Sequence, residues 1–286
     1  MLQRSPWLLR PTPVWLFAAI IIVPTALSFL VLETEAPPGY DWWLYGHGFD
    51  LWMQSGTPYE PQTQAWNPCL VTPYLYPPSS WPLMIVAKVV PYQLLGLAAL
   101  PLLARPPRLI LAPLAAALLL VGLPSGLFLG NVNVVMIGLL VLSFERGRVG
   151  GLAFAIAVAI KGYPIVLMPL LWGDRERLRW FAGVLAILVV SGTILLPSGW
   201  YDVGVSLLTQ GPHCDLSLNP FGFLGPLRVL PAAVLVCVGW WLRSPTTTLA
   251  GATFMTGVVT RHYLPTLAAT LRGEPLPAQN RQRRGD

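Results

Sequence analysis

The sequence predicts an all-α polytopic membrane protein, a bundle of roughly 8–10 transmembrane or half-membrane helices with a large first external loop. Three observations carry that reading. The 286 residues are 55% hydrophobic and only 10% charged, with a mean hydropathy of +0.61, outside the composition of soluble globular chains. Apolar runs of spanning or near-spanning length recur along the chain, and many of the 12 tryptophans lie beside them, where amphipathic rings settle at headgroup level. Most of the positive charge falls between those runs, the bias that retains Lys and Arg of short loops on the cytoplasmic side.

The elements follow in order. Arg4 and Arg10 precede an apolar run over residues 13–32 that is long enough to span and lacks a small-residue cleavage site. It reads as a retained anchor with a cytoplasmic N-terminus. Residues 11–87 contain no Lys or Arg but include Glu33, Glu35, Asp41, Asp50 and Glu60, so residues 33–80 are expected as an external loop. A span over 81–104 returns the chain to Arg105 and Arg108. The runs 109–123 and 131–144 are each shorter than the roughly 20 residues of a full crossing. They are joined by "PSGLFLGN", expected as a turn within the outer part of the membrane, where polar backbone must face protein or a wet cavity.

Residues 149–172 allow two readings: one crossing that violates the charge rule, or a hairpin broken at "KGYP" with both ends in the cytoplasm. Lys161, Gly162 and Pro164 favour the break. A span over 180–197 leads to a second external loop, 198–225, and 226–243 returns to Arg243. The last apolar stretch is interrupted by "TRHYLP". It is either another broken hairpin with Arg261 and His262 at its tip or a straight final span. Residues 1–272 therefore form a single integral membrane domain, placed in the plasma (inner) membrane, and 273–286 a basic cytoplasmic tail. The net charge of +6 is scattered between apolar segments, an orientation signal; the bilayer, not nucleic acid, is the expected partner.

Cys237 lies in an apolar span and reads as packing. Cys69 and Cys214 fall in the two external loops and are a candidate disulfide; two unpaired small residues fit equally well, because a bridge needs a Cα separation that sequence does not supply.

Metal chemistry has little support, since there is no HxxxH, no Cys pair at ligand spacing and no acidic cluster at helical spacing. Metal dependence is left open, and no cofactor is expected. Phosphate-cradling Gly loops and a Ser nucleophile elbow are also absent from the sequence. What remains is a carboxylate-rich outer face and four cations in or near apolar runs, each costing on the order of 3 kcal/mol at mid-span. Lys88 fits a structural ion pair. Lys161 fits a partner for carbonyls freed by Pro164, or a functional group. Arg228 and Arg261 lie near the outer leaflet, where an anionic headgroup would be.

Among the carboxylates, Asp41 follows a Pro37-Pro38-Gly39 turn and precedes Trp42 and Trp43, a junction of loop and interfacial helix. It can serve as a base at the membrane surface or as a helix cap. Asp50 reads as a polar-face residue, Glu33 and Glu35 as solvated groups. The aromatics Trp42, Trp43, Tyr45 and Trp52 read as interface anchors or as sugar-stacking faces.

"DWWLYGHGFDLWMQSGTPYEP" and then "YLYPP" resemble the first external loop of the DUF2029 family, also called glycosyltransferase family 87, including its Gly-x-x-Tyr turn. "GNVNVVMIGLLVLSFERGR" resembles its Gly-(Gln/Asn)-x-Asn helix, "GLAFAIAVAIKGYPIVLMPLLW" its Lys-x-x-Pro segment, "SLNPFGFLGPLR" a later Asn-to-Arg element and "TRHYLP" its late His-Tyr element. The matches occur in family order over residues 39–265.

The resemblance implies a GT-C-like helix bundle and an enzyme that moves a sugar, with mannose expected, from a polyprenyl-phosphate donor to a glycan or glycolipid acceptor on the outer face. It implies that Asp41 is the general base. It also implies that His262, Arg228, Asn219, Lys161, Tyr45, Tyr59 and Tyr76 line the substrate site, where Arg261, His262 and Arg228 are the candidate cations for the departing phosphate. Family members are usually longer; here residues 197–247 and the C-terminal part are contracted, on the acceptor side. Two rival readings use the same residues: a non-catalytic binder or translocator of lipid-linked sugars, and a structural subunit of an envelope complex.

Overall fold

A computed structural model of the chain describes residues 10–28, 37–59, 76–209, 220–221, 224, 227–255 and 261–274. Glu33, Glu35, Cys69, Cys214, Asn219 and most of the basic tail lie outside these. The described chain is all-helical, without a strand. In order it forms α1 (Val14–Ser28), α2 (Tyr40–Ser55), α3 (Trp81–Val89), α4 (Leu100–Ala104), α5 (Ala112–Leu129), α6 (Asn133–Ser143) and α7 (Gly147–Ile160). There follow α8 (Met168–Leu171), α9 (Arg175–Leu195), α10 (Gly199–Thr209), α11 (Val229–Leu242), α12 (Pro245–Met255) and α13 (Leu264–Thr270). These thirteen α-helices exceed the expected count because proline divides several apolar runs into short pieces.

The expected span over 81–104 is one such correction. It consists of α3, a 3-10 stretch Tyr92–Ala99 and α4, because Val90 turns extended ahead of Pro91. The residue before a proline is driven out of the α region. The stretch "PSGLFLGN" is corrected in the opposite direction: α5 continues through Pro124 to Leu129, and with Leu109–Leu111 it makes a 21-residue helix, long enough to cross a membrane. The turn comes only at Gly130, whose φ of 70° is left-handed and whose N–H closes the helix on the Gly126 and Leu127 carbonyls.

The second helix of spanning length is α9, 21 residues or about 31 Å. Asp174 caps it, accepting from the Arg177 N–H at 3.1 Å. Only 11% of its most apolar window is buried, and Ile187 and Ile194 are 68% and 73% exposed. An apolar helix that turns its side chains outward along its length suits a lipid surround and not water.

The Asp174 carboxylate also accepts from the Gly147 N–H at 2.8 Å, tying the start of α7 to the start of α9. Between them the chain reverses at Lys161, so residues 149–172 form the broken hairpin. The same holds for the last segment. Ser244 and the Thr246 N–H both donate to the Glu274 carboxylate at 2.9 Å, so α12 leaves and α13 returns to one end of the bundle. That end carries the charged residues. Glu145 accepts from Arg105 and Arg272, each at 3.0 Å, and Arg108 donates to the Glu274 carbonyl.

At the opposite end lie the start of α2, the α5–α6 turn, Lys161 and the Arg261–Tyr263 turn. The core between them is packed by Phe17, Met84, Leu119, Met136, Ile137, Leu140 and Phe154, all fully buried. Cys237 is exposed on α11, not packed as expected: Ala232, Val236 and Gly239 form the buried face of that helix.

Two left-handed glycines separate conformational cost from packing. At Gly56, φ is 82° and among the described residues an added Cβ would meet nothing within 4 Å; at Gly130 it would stand 2.7 Å from the Trp42 Cβ. Both alanine variants lose about 1 kcal/mol for the left-handed backbone. Chemical denaturation in detergent should show Gly130→Ala costing about 1–3 kcal/mol beyond Gly56→Ala. Equal losses would mean that α2 does not press on the α5–α6 turn.

Candidate functional site

The site begins where α2 meets α5. Gly39, with φ at 75°, stands before α2 and donates its N–H to the Phe128 carbonyl at 2.8 Å. Trp42 donates from its indole to the Val90 carbonyl at 2.7 Å, and its Cβ lies against Gly130. This docking sets Asp41 over the α5–α6 turn, where Asn131 Nδ2 donates to Asp41 Oδ2 at 2.6 Å. Asn131 is itself fixed, because its Oδ1 accepts the Asn133 N–H at 2.9 Å. The helix-cap reading of Asp41 is not what the structure displays: among the described residues α2 has no side-chain cap, and the carboxylate turns to Asn131 in the α5–α6 turn instead.

The tyrosines form a second layer. Tyr45 and Tyr76 join hydroxyls at 2.9 Å with their rings edge to face, and the Tyr45 oxygen accepts the Val132 N–H at 3.5 Å. Tyr59 donates its hydroxyl to the Tyr76 carbonyl at 3.0 Å. Beyond Tyr76 lies Lys161, with Nζ 5.6 Å from the Tyr76 ring centroid and 4.4 Å from that of Tyr263. Lys161 is thus seated on aromatic faces, not on the carbonyls near Pro164.

His262 reaches the same end through α5. Gly122 and Gly126 lie one helical turn apart, and a Cβ on Gly122 would run into the Arg261 carbonyl and stand 2.6 Å from Pro265 Cδ. That bare strip lets the Arg261–Tyr263 turn press onto α5, where His262 Nδ1 and Ser125 Oγ meet at 3.1 Å. Arg261 turns its side chain outward and is exposed; Arg228 takes another element, the start of α11.

The electrostatics of Asp41 follow from this packing. Removal from solvent pushes its carboxyl up to about 6, against the Asn131 hydrogen bond and the Lys161 charge, which both favour the ionised form. The Lys161 charge therefore reaches the Asp41 carboxylate without a direct contact.

Several residues depart from their expected roles. Trp42 and Tyr45 are 5% exposed and belong to the protein core, so they are not interface anchors; Trp43 is exposed, stacked on His47. Asp50 pairs with Lys88 at 2.6 Å, in keeping with the structural reading of that lysine. Asn131, Asn133, Ser125 and Tyr263 were not among the sequence candidates. Asn131 and Asn133 lie in "GNVN" and Tyr263 in "TRHYLP", both motifs of the resemblance, whereas Ser125 lies in "PSGLFLGN", where nothing local marks it. Asn133 is 2% exposed, and among the described residues its side-chain amide has no hydrogen-bond partner, an uncommon state for a buried amide.

Comparison with family models, curated protein sequences and solved structures finds no significant match for this chain. The resemblance to glycosyltransferase family 87 thus rests on the quoted motifs.

The Asn131 contact predicts a shift that can be read without a substrate. Carbodiimide modification of Asp41, which requires the protonated acid, should fall as pH rises through about 6. Asn131→Leu removes a bond that favours the ionised form, so labelling should persist to higher pH. An unchanged or lowered midpoint would contradict the assignment.

Proposed function

We propose that the protein is a membrane-embedded glycosyltransferase of GT-C type. It moves a sugar, with mannose expected, from a polyprenyl-phosphate donor to a glycan or glycolipid acceptor at the outer face of the plasma membrane. The N-terminus and the Glu145 end lie in the cytoplasm on this reading. The outward-facing apolar surface of α9 and the collection of Arg105, Arg108, Arg272 and Arg243 toward one end support it.

The observation that carries the reading is the Asp41 carboxylate. Among the described residues Asn131 is its hydrogen-bond donor, on Oδ2, which leaves Oδ1 for an acceptor hydroxyl. A carboxylate held near pH 6 is ionised at neutral pH yet basic enough to take a proton as the attacking oxygen becomes nucleophilic. One such base suffices for a single displacement with inversion, since a phosphate leaves without a strong acid to protonate it. The lipid tail would lie along the exposed apolar helices, outside the site.

Asp41→Asn keeps the shape of the side chain and removes the base. With radiolabelled polyprenyl-phosphate sugar in membranes, donor binding should survive while transfer falls by on the order of 10²–10⁴-fold. Wild-type transfer should rise with pH through about 6, as the base ionises. Undiminished transfer by the variant would remove Asp41 from this role. Wild-type membranes that bind donor and never release polyprenyl phosphate, across a range of acceptors, would favour a non-catalytic binder.

A further inference from the structure

Lys161 closes α7 in an unusual setting. Its N–H still bonds the Ala157 carbonyl at 3.0 Å, but its backbone turns extended, and a Cβ on the following Gly162 would meet nothing within 4 Å. The Lys161 side chain is half-buried. Its ammonium rests on the faces of Tyr263 and Tyr76 at 4.4 and 5.6 Å. The ion pairs among the described residues join Lys88 to Asp50, Arg105 and Arg272 to Glu145, and Arg177 to Asp174; Lys161 belongs to none.

An ammonium held by ring faces gains attraction without spending its N–H groups, since the π cloud meets the charge and not a directed donor. Its three donors stay available to an anion. The ring beneath it is rigid: the Tyr76 hydroxyl is bonded to Tyr45 and its carbonyl accepts from Tyr59. The Asp41 carboxylate feels the lysine charge but is hydrogen-bonded to Asn131 instead. The Tyr76 hydroxyl in turn meets Tyr45, one turn beyond Asp41 on α2, so the cation and the base stand at the same end of the bundle with no ion pair between them.

We propose that Lys161 binds the phosphate of the lipid-linked donor, placing the anomeric carbon between its ammonium and the Asp41 carboxylate. This assignment rests on the glycosyl-transfer reading. Asp41 takes the acceptor hydroxyl's proton as that oxygen bonds the anomeric carbon. The bond from that carbon to the phosphate oxygen breaks, its electron pair stays on the phosphate, and the added negative charge falls beside Lys161. A single ammonium matches a donor carrying one phosphate, and Arg261, exposed at the turn, is not needed for the step.

The test is equilibrium binding by the full chain in nanodiscs of neutral lipid, with polyprenyl phosphate, the uncharged polyprenol and inorganic phosphate as probes. Wild type should bind polyprenyl phosphate well above polyprenol, and equal inorganic phosphate should not displace it. Lys161→Gln should weaken polyprenyl phosphate by at least about tenfold and leave polyprenol unchanged. Lys161→Arg, which keeps the charge, should stay within about threefold of wild type. Equal binding by wild type and Lys161→Gln, or equal losses in both variants, overturns the Lys161 assignment. Displacement by equal inorganic phosphate overturns the lipid source of the anion. Wild type that does not prefer polyprenyl phosphate to polyprenol overturns the lipid-phosphate reading itself.

Discussion

The start of α2 is fixed to the end of α5 by contacts that two glycines permit. Gly39 donates to the Phe128 carbonyl, and Trp42 packs where Gly130 has no side chain. Both glycines are left-handed, and a Cβ at either would strike an aromatic side chain, Tyr92 at Gly39 and Trp42 at Gly130. Asp41 follows Gly39 by two residues, so its position over Asn131 is a consequence of this docking. Tyr45, one turn further on, is carried by the same helix onto the Val132 N–H and Tyr76. Tyr76 in turn supplies one of the faces on which Lys161 rests. A chain of rigid contacts thus runs from the helix junction to the cation.

Charge is handled differently at the two ends of the bundle. At one end, Glu145 is shared by Arg105 and Arg272, and Asp174 holds the starts of α7 and α9; these carboxylates are consumed by structure. At the other end, Asp41 is bonded by a neutral amide and Lys161 by aromatic faces. Bringing the latter two into direct contact would give a stable ion pair with no capacity for a substrate. Held apart, the base and the cation each keep capacity for a further partner, and on the proposed reading a phosphate-linked sugar with an incoming hydroxyl offers one to each.

Charge and proline patterning made much of this legible in the sequence. The break at Lys161 followed from Gly162 and Pro164, and the basic residues on both flanks pointed to a hairpin, as the Gly147–Asp174 bond displays. The division of 81–104 was harder, because hydropathy is continuous across Pro91 and only backbone geometry breaks there. Conversely α5 runs through Pro124, since a helix within a bundle tolerates one lost hydrogen bond. The Asp41–Asn131 pair spans 90 residues, and nothing local to either residue announces it. Trp42 and Tyr45 read as surface anchors because they sit in a polar, acidic stretch, and only the packing of α2 on α3 and α5 buries them. Asn219, Cys69 and Cys214 fall outside the described residues.

On the proposed reading, Asp41 and Lys161 face one substrate from opposite sides. The most direct measurement is an experimental structure of the Asp41→Asn protein in nanodiscs with bound polyprenyl-phosphate mannose. The account predicts phosphate density at the Lys161 ammonium, over Tyr76 and Tyr263, with the sugar directed toward residue 41. Phosphate density at Arg228 or at the Arg105–Glu145–Arg272 end, with none at Lys161, would contradict it.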